Sequence, residues 1–218
     1  MSASESSTRP GSSARRAGLP ALFAAACIVA APAHAAFFNN STGLASPDQT
    51  ITFESVTLAA NAPVTTEFQA LGVTFGSAFA NPDLSSAYPH ISGNRIGNFR
   101  SEVPQAGLFT VDFDSDLSAV AFALVTAPGT STIQAFLDGT LVESATASTS
   151  TSDSVNYFGF EGIVFDEITI SVVSGDHALM IDGLQTIAAT PAVPEPQSGA
   201  LLLAGLALLG RFARSRRG

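Results

Sequence analysis

LFTVDFDSDLSAVAFALV, residues 108–125, decides how this chain is read. Phe109, Val111 and Phe113 fall on one side of an extended chain, and Thr110 and Asp112 on the other. A period of two is the signature of a half-buried β-strand. The pattern resumes at Val120, Phe122 and Leu124, after the polar interruption DSDLS. The reading is two strands joined by an acidic turn, with Asp112, Asp114 and Asp116 on the exposed side. A calcium loop of the EF-hand kind does not fit those aspartates. Counting from Asp112, such a loop needs glycine sixth and glutamate twelfth, and the chain has Leu117 and Ala123 there.

The same alternation extends in both directions. Downstream, STIQAFLDGTLVES (131–144) carries Asp138-Gly139, a two-residue hairpin signal. VNYFGF (155–160) and DEITISVV (166–173) follow, the latter with Ile168, Ile170 and Val172 on one face. ALMIDGLQTI (178–187) closes the series. Upstream, ITFESV (51–56) alternates, and LGVTFGSAF (71–79) sets Val73, Phe75 and Phe79 on one side. No helical period stands out between the two termini. About eight to ten short strands with frequent turn residues predict an all-β fold, an antiparallel β-sandwich of the jelly-roll kind. The predicted domain covers residues 50–188, after a flexible start at 36–49. Longer polar loops are expected at 80–106 and 144–154. The first holds Tyr88, Arg95 and Arg100, and Tyr88 is its candidate ligand contact.

Charge is unevenly placed. The 218 residues carry 18 acids and nine arginines, with no lysine. Seven of the arginines lie before residue 17 or after residue 210. Residues 36–193 hold two arginines against sixteen acids, a formal charge of −14. Such a surface repels nucleic-acid phosphates, so no nucleic-acid partner is expected. The sole cysteine, Cys27, precedes this body, which therefore has no disulfide or thiolate chemistry. The body has His90 and His177 but neither an H-E-x-x-H nor a G-x-S-x-G pattern. It lacks tryptophan and has only Tyr88 and Tyr157 as tyrosines, few platforms for a sugar cleft. The expectation is a protein that is not an enzyme.

The termini read as addresses. Residues 1–35 form a signal peptide: Arg9, Arg15 and Arg16, then the apolar LPALFAAACIVAAPA, then small residues at Ala33 and Ala35. Signal peptidase is expected to cut between Ala35 and Ala36. At the other end, a proline-rich linker (189–197) contains Pro194, Glu195 and Pro196. Residues 198–213 are apolar, and as a helix would span about 24 Å at 1.5 Å per residue. Snorkelling arginines would extend that toward the 30 Å or so of a bilayer core. The basic tail 214–218 would remain cytoplasmic and the body outside.

Val193-Pro194-Glu195-Pro196, a short apolar helix and an arginine cluster together resemble the PEP-CTERM sorting signal of Gram-negative exported proteins. That resemblance implies processing by exosortase, a membrane enzyme, near the Pro-Glu-Pro motif. It also implies transient inner-membrane anchoring, then residence at the cell surface or outside the cell. The body, from ITFESV through VDFDSDLSAVAFALV to MIDGLQ, is similar to jelly-roll domains of the galactose-binding, carbohydrate-binding-module type. This second resemblance implies a non-catalytic surface or matrix domain, with exopolysaccharide as the candidate associate. In such jelly rolls the first and last strands lie side by side and can share a calcium ion. The matching carboxylates are Glu54 and Asp182, and calcium is the one cofactor considered; the alternative places both acids on a solvated face. Two further functional classes remain alternatives: a secreted polysaccharide hydrolase and a calcium-dependent carbohydrate-binding module.

Overall fold

The computed structural model describes residues 36–76, 79–80, 88–97, 107–173, 178–190 and 205. Among the described residues there are eleven strands: β1 (Ala36–Asn40), β2 (Gln49–Ile51), β3 (Pro63–Val64), β4 (Val73–Phe75), β5 (Phe79–Ala80), β6 (Ile96–Gly97), β7 (Leu108–Thr126), β8 (Gly129–Leu137), β9 (Thr140–Thr149), β10 (Tyr157–Val172) and β11 (Leu179–Ala188). Every pairing between them is antiparallel. Besides Gly205, the helical content among the described residues is one 3-10 turn, Gln69–Leu71, ended by Gly72 in the left-handed region at φ 76°.

The stretch that opens the sequence reading is one strand of 19 residues. No turn interrupts it at DSDLS, which corrects the expectation of two strands. Its aspartates and serines suit a turn, but with no glycine or proline the segment is not held to one. The irregularity is absorbed instead as a bulge against β10, whose register slips between Glu161 and Phe165 and again before Glu167. Gly162, at φ 78°, lies at the slip. VNYFGF and DEITISVV likewise merge into the single strand β10. β7 and β10 thus form one long ribbon whose halves have different neighbours. The first half of β7 lies between β4 and the end of β10, with β8 and β9 beyond. Its second half lies between β11 and the start of β10, with β1 beyond. On β11 sit β2 and β6, then β5 and β3.

Burial follows these halves. Phe109, Val111 and Phe113 turn inward as alternation requires, whereas Asp114, Ser115 and Asp116 are all exposed, so the period breaks where the register slips. Residues 119–126 are buried on both faces. Val120, Phe122 and Leu124 enter the main core with Phe158, Phe160, Phe165, Ile168 and Ile170. Each such fully buried side chain stabilises by about 1.5–3 kcal/mol. Behind them, Ala119 and Ala121 pack under Leu44, and Ala123 and Val125 under Ile91. Small side chains let two loops lie flat on that back face. One-sided alternation did not foresee this cover.

Other expectations are also corrected. ITFESV is strand only to Ile51. Phe53 takes φ 62°, so its ring drops into the core at 5.1 Å edge-on to Phe68. The start at 36–49 is not ragged: Ala36–Asn40 pairs with β10, and Phe37 packs between Phe158 and Phe160. The loop expected at 144–154 is strand as far as Thr149. Within 80–106, β6 interrupts the loop, and Arg100 lies outside the described residues, as does the side chain of Phe79. The Asp138-Gly139 hairpin is present, with φ 50° and 72°, both positive as its mirror turn demands.

Candidate functional site

Residues 88–92 lie across the back of β11 and β7, before the chain pairs with β11 as β6. Ile91 is the apolar anchor, seated on Ala123, Val125 and Met180. Polar anchors surround it. Asp182 is 4% exposed; its Oδ2 accepts the Ser92 N–H at 2.9 Å and its Oδ1 the Gly183 N–H at 2.6 Å. Gly183, at φ 56°, lies where the β11–β7 register slips, and this bulge turns the carboxylate toward the loop. Glu54 Oε1 accepts the Asn94 N–H at 2.6 Å. The Asn94 side chain returns to the carbonyls of Phe53 and Val56 at 3.1 and 3.3 Å. On the far side, Asn156 donates to the Pro89 carbonyl at 2.8 Å and pairs with His90 Nδ1 at 2.6 Å. The His90 ring lies 5.3 Å from that of Tyr157.

Two sequence-selected acids, Glu54 and Asp182, therefore meet the same short loop two residues apart. Burial pushes the Asp182 carboxyl up to about 6. The Ser92 and Gly183 N–H groups and the Arg95 charge pull it down, and Glu54 adds to the rise. Arg95 is itself buried. Burial also raises the Tyr157 phenol, with a further push from the Asp182 charge.

The donor set does not fit calcium. That ion needs several free oxygens converging at about 2.3–2.6 Å. Here both Asp182 oxygens and one Glu54 oxygen already face backbone N–H groups, whose positive ends repel a cation. Arg95 adds a positive charge beside Asp182. A Cβ at Gly93 would overlap Glu54 Oε1, so the loop closes directly onto the carboxylate. Among the described residues no three His, Cys, Asp or Glu side chains gather as metal ligands. The arrangement fastens a loop. Tyr88 is half-buried, bridged to Ile91 and packed on the same cluster. His177 lies outside the described residues.

Sequence reading missed a second acidic group. Glu167 on β10 stands directly opposite Asp112 on β7, with Asp166 beside them. Both Asp112 and Glu167 are raised, first by burial and then by repulsion, Asp112 from Asp166 and Glu167 from both aspartates. Asp166 accepts the Asp138 N–H at 3.2 Å with either oxygen, steadying the hairpin turn. Only the β7–β10 register brings these acids together. No local pattern signals it.

Ala35 lies outside the described residues, while Ala36 opens β1. Pro194, Glu195 and Pro196 also lie outside, as does the span 198–213 apart from Gly205. Among the described residues no helix is long and apolar enough to cross a membrane. Residues 192–217 match the PEP-CTERM protein-sorting motif. No curated protein matches the chain. The motif implies an exported protein, anchored transiently in the membrane and processed there by exosortase.

Proposed function

We propose that this chain is a non-catalytic surface or extracellular-matrix protein, displayed by a β-sandwich body after exosortase removes its C-terminal handle. The single observation behind the proposal is the PEP-CTERM match at 192–217. The body supports it in two ways. Cleavage between Ala35 and Ala36 would keep every described residue of β1 and its pairing with β10. The bulged β7–β10 ribbon, with separate neighbours on each half, supports a reading in which one sheet folds over itself into two layers. Exopolysaccharide is the proposed associate at the cell surface. The anchored loop 88–97 would serve as a rigid edge and not as a catalytic cleft. Both Asp182 oxygens and Glu54 Oε1 face backbone N–H groups of or beside the loop, which fits a role in holding it in place.

Mass spectrometry of secreted material tests the route. The expected product begins at Ala36 and ends near Pro194–Pro196. Secreted protein still ending at Gly218 would remove the basis of the proposal. Incubation with the host's own polysaccharide should release no reducing sugar, and a glycan array should show whether the body retains sugars at all.

A further inference from the structure

We infer that β9 is a self-pairing edge, at which two copies of this chain join their sheets antiparallel about Thr146. Among the described strands, β9 pairs with β8 alone, and it ends the sheet. The other strands that border the sheet are short: β1 has five residues, β2 and β4 three each, and β3 two. β9 has ten. Edges of that length are normally protected by lysine, proline or a bulge in mid-strand. β9, TLVESATAST, has no lysine and no proline, and its bulge sits at Val142, next to the hairpin turn. From Glu143 to Thr149 the register against β8 is unbroken.

That seven-residue stretch is self-complementary. Reversed upon itself about its centre, Thr146 faces Thr146 of the second copy, Ala145 faces Ala147, Ser144 faces Ser148 and Glu143 faces Thr149. Residues that face each other share a side of the sheet. Ser144, Thr146 and Ser148 are exposed, and Glu143, Ala145 and Ala147 half-buried. The outer hydroxyls already form cross-strand pairs, Thr132 with Thr146 and Gln134 with Ser144, both at 3.4 Å. A second copy would extend those rows, and Ala145 against Ala147 puts nothing bulky between the backbones.

Charge leaves β9 as the place where a second copy meets little repulsion. The body carries −14 overall, so most of its surface repels its own kind. Glu143 is the only charged residue of β9. Pairing about Thr146 sends the two glutamates to opposite ends, about 20 Å apart along the strand at ~3.3 Å per residue. That exceeds the screening length of about 8 Å at physiological salt. The contact is the same patch on both partners, as a two-fold dimer requires.

Cysteine cross-linking on the detergent-purified full chain tests this, in a Cys27→Ser background that removes the native thiol. Opposed residues in such a pair have Cα atoms about 4.5–5.5 Å apart, inside the range a disulfide spans. Thr146→Cys should give a disulfide-linked dimer under mild oxidation. Ser144→Cys alone should not, and an equal mixture of the Ser144→Cys and Ser148→Cys chains should. Thr146→Lys should halve the mass seen by sedimentation while the far-ultraviolet β spectrum is kept. Equal linking at Thr146→Cys and Ser144→Cys, links only to other proteins, or a folded Thr146→Lys chain of unchanged mass would overturn the pairing. If Thr146→Lys does not fold, the cysteine pattern decides alone.

Discussion

Asp182 shows how a single carboxyl can be chosen correctly and read wrongly. Its value near 6 in the fold lies above the ordinary 3.8. The folded chain therefore holds this proton more tightly than the unfolded chain does. By linkage, the group's contribution to stability rises as pH falls from above 6 toward 3.8, and is flat outside that window. The span is on the order of 3 kcal/mol. Other raised acids act in the same direction, so the informative quantity is a difference. The melting temperature of the native chain should gain on that of Asp182→Asn between pH 7 and pH 4. Parallel curves would show that Asp182 does not titrate there. Asp182→Ala removes the acceptor of two N–H groups and should cost about 1–3 kcal/mol at pH 7, read as a lowered denaturant midpoint. Millimolar calcium or a chelator should leave the native melting temperature unmoved, because the oxygens already face N–H donors. The sequence made Glu54 and Asp182 legible as a pair. It could not show that both would meet backbone donors, because those donors belong to a loop some 40 residues from Glu54 and 90 from Asp182.

At the scale of elements, alternation located most of the strands and misjudged how they end. Periodicity reports which residues face inward, but a bulge and a turn interrupt it alike. DSDLS was therefore readable as a turn, although β7 runs through it. The same register places Glu167 against Asp112. Like charges directly opposite each other on a sheet destabilise by about 0.2–1 kcal/mol. Glu167→Gln should accordingly raise the unfolding midpoint at pH 7, and the gain should shrink in acid, where the raised carboxyls become neutral. A midpoint that falls would mean that Glu167 has a favourable partner instead. Gly159 tests the ribbon from the other side. A Cβ there would overlap the Val120 carbonyl and press on the Phe38 ring. Gly159→Ala should thus loosen β10 from both β7 and β1, seen as a lower melting temperature and faster amide exchange in Ala36–Asn40.

Across the whole molecule, the proposed processing would divide charge between what is kept and what is discarded. The C-terminal sorting motif is a local pattern, so sequence alone could name it. Where the ribbon's register slips is something no local pattern specifies. The full chain has a formal charge of −9 and an isoelectric point near 4.5. Cleavage before Ala36 and just after Pro196 would remove seven of the nine arginines but only one acid, Glu5. The retained residues 36–196 hold two arginines against seventeen acids, a formal charge of −15. Processing therefore makes the protein smaller and more acidic at once. An ordinary proteolytic nick within the body would shorten it without stripping both basic ends. On isoelectric focusing, the secreted form should run below 4.5, while cells lacking exosortase should retain a form nearer the precursor's position. A secreted band focusing with the full chain would show that the basic tail had stayed on, and the route through exosortase would have to be abandoned.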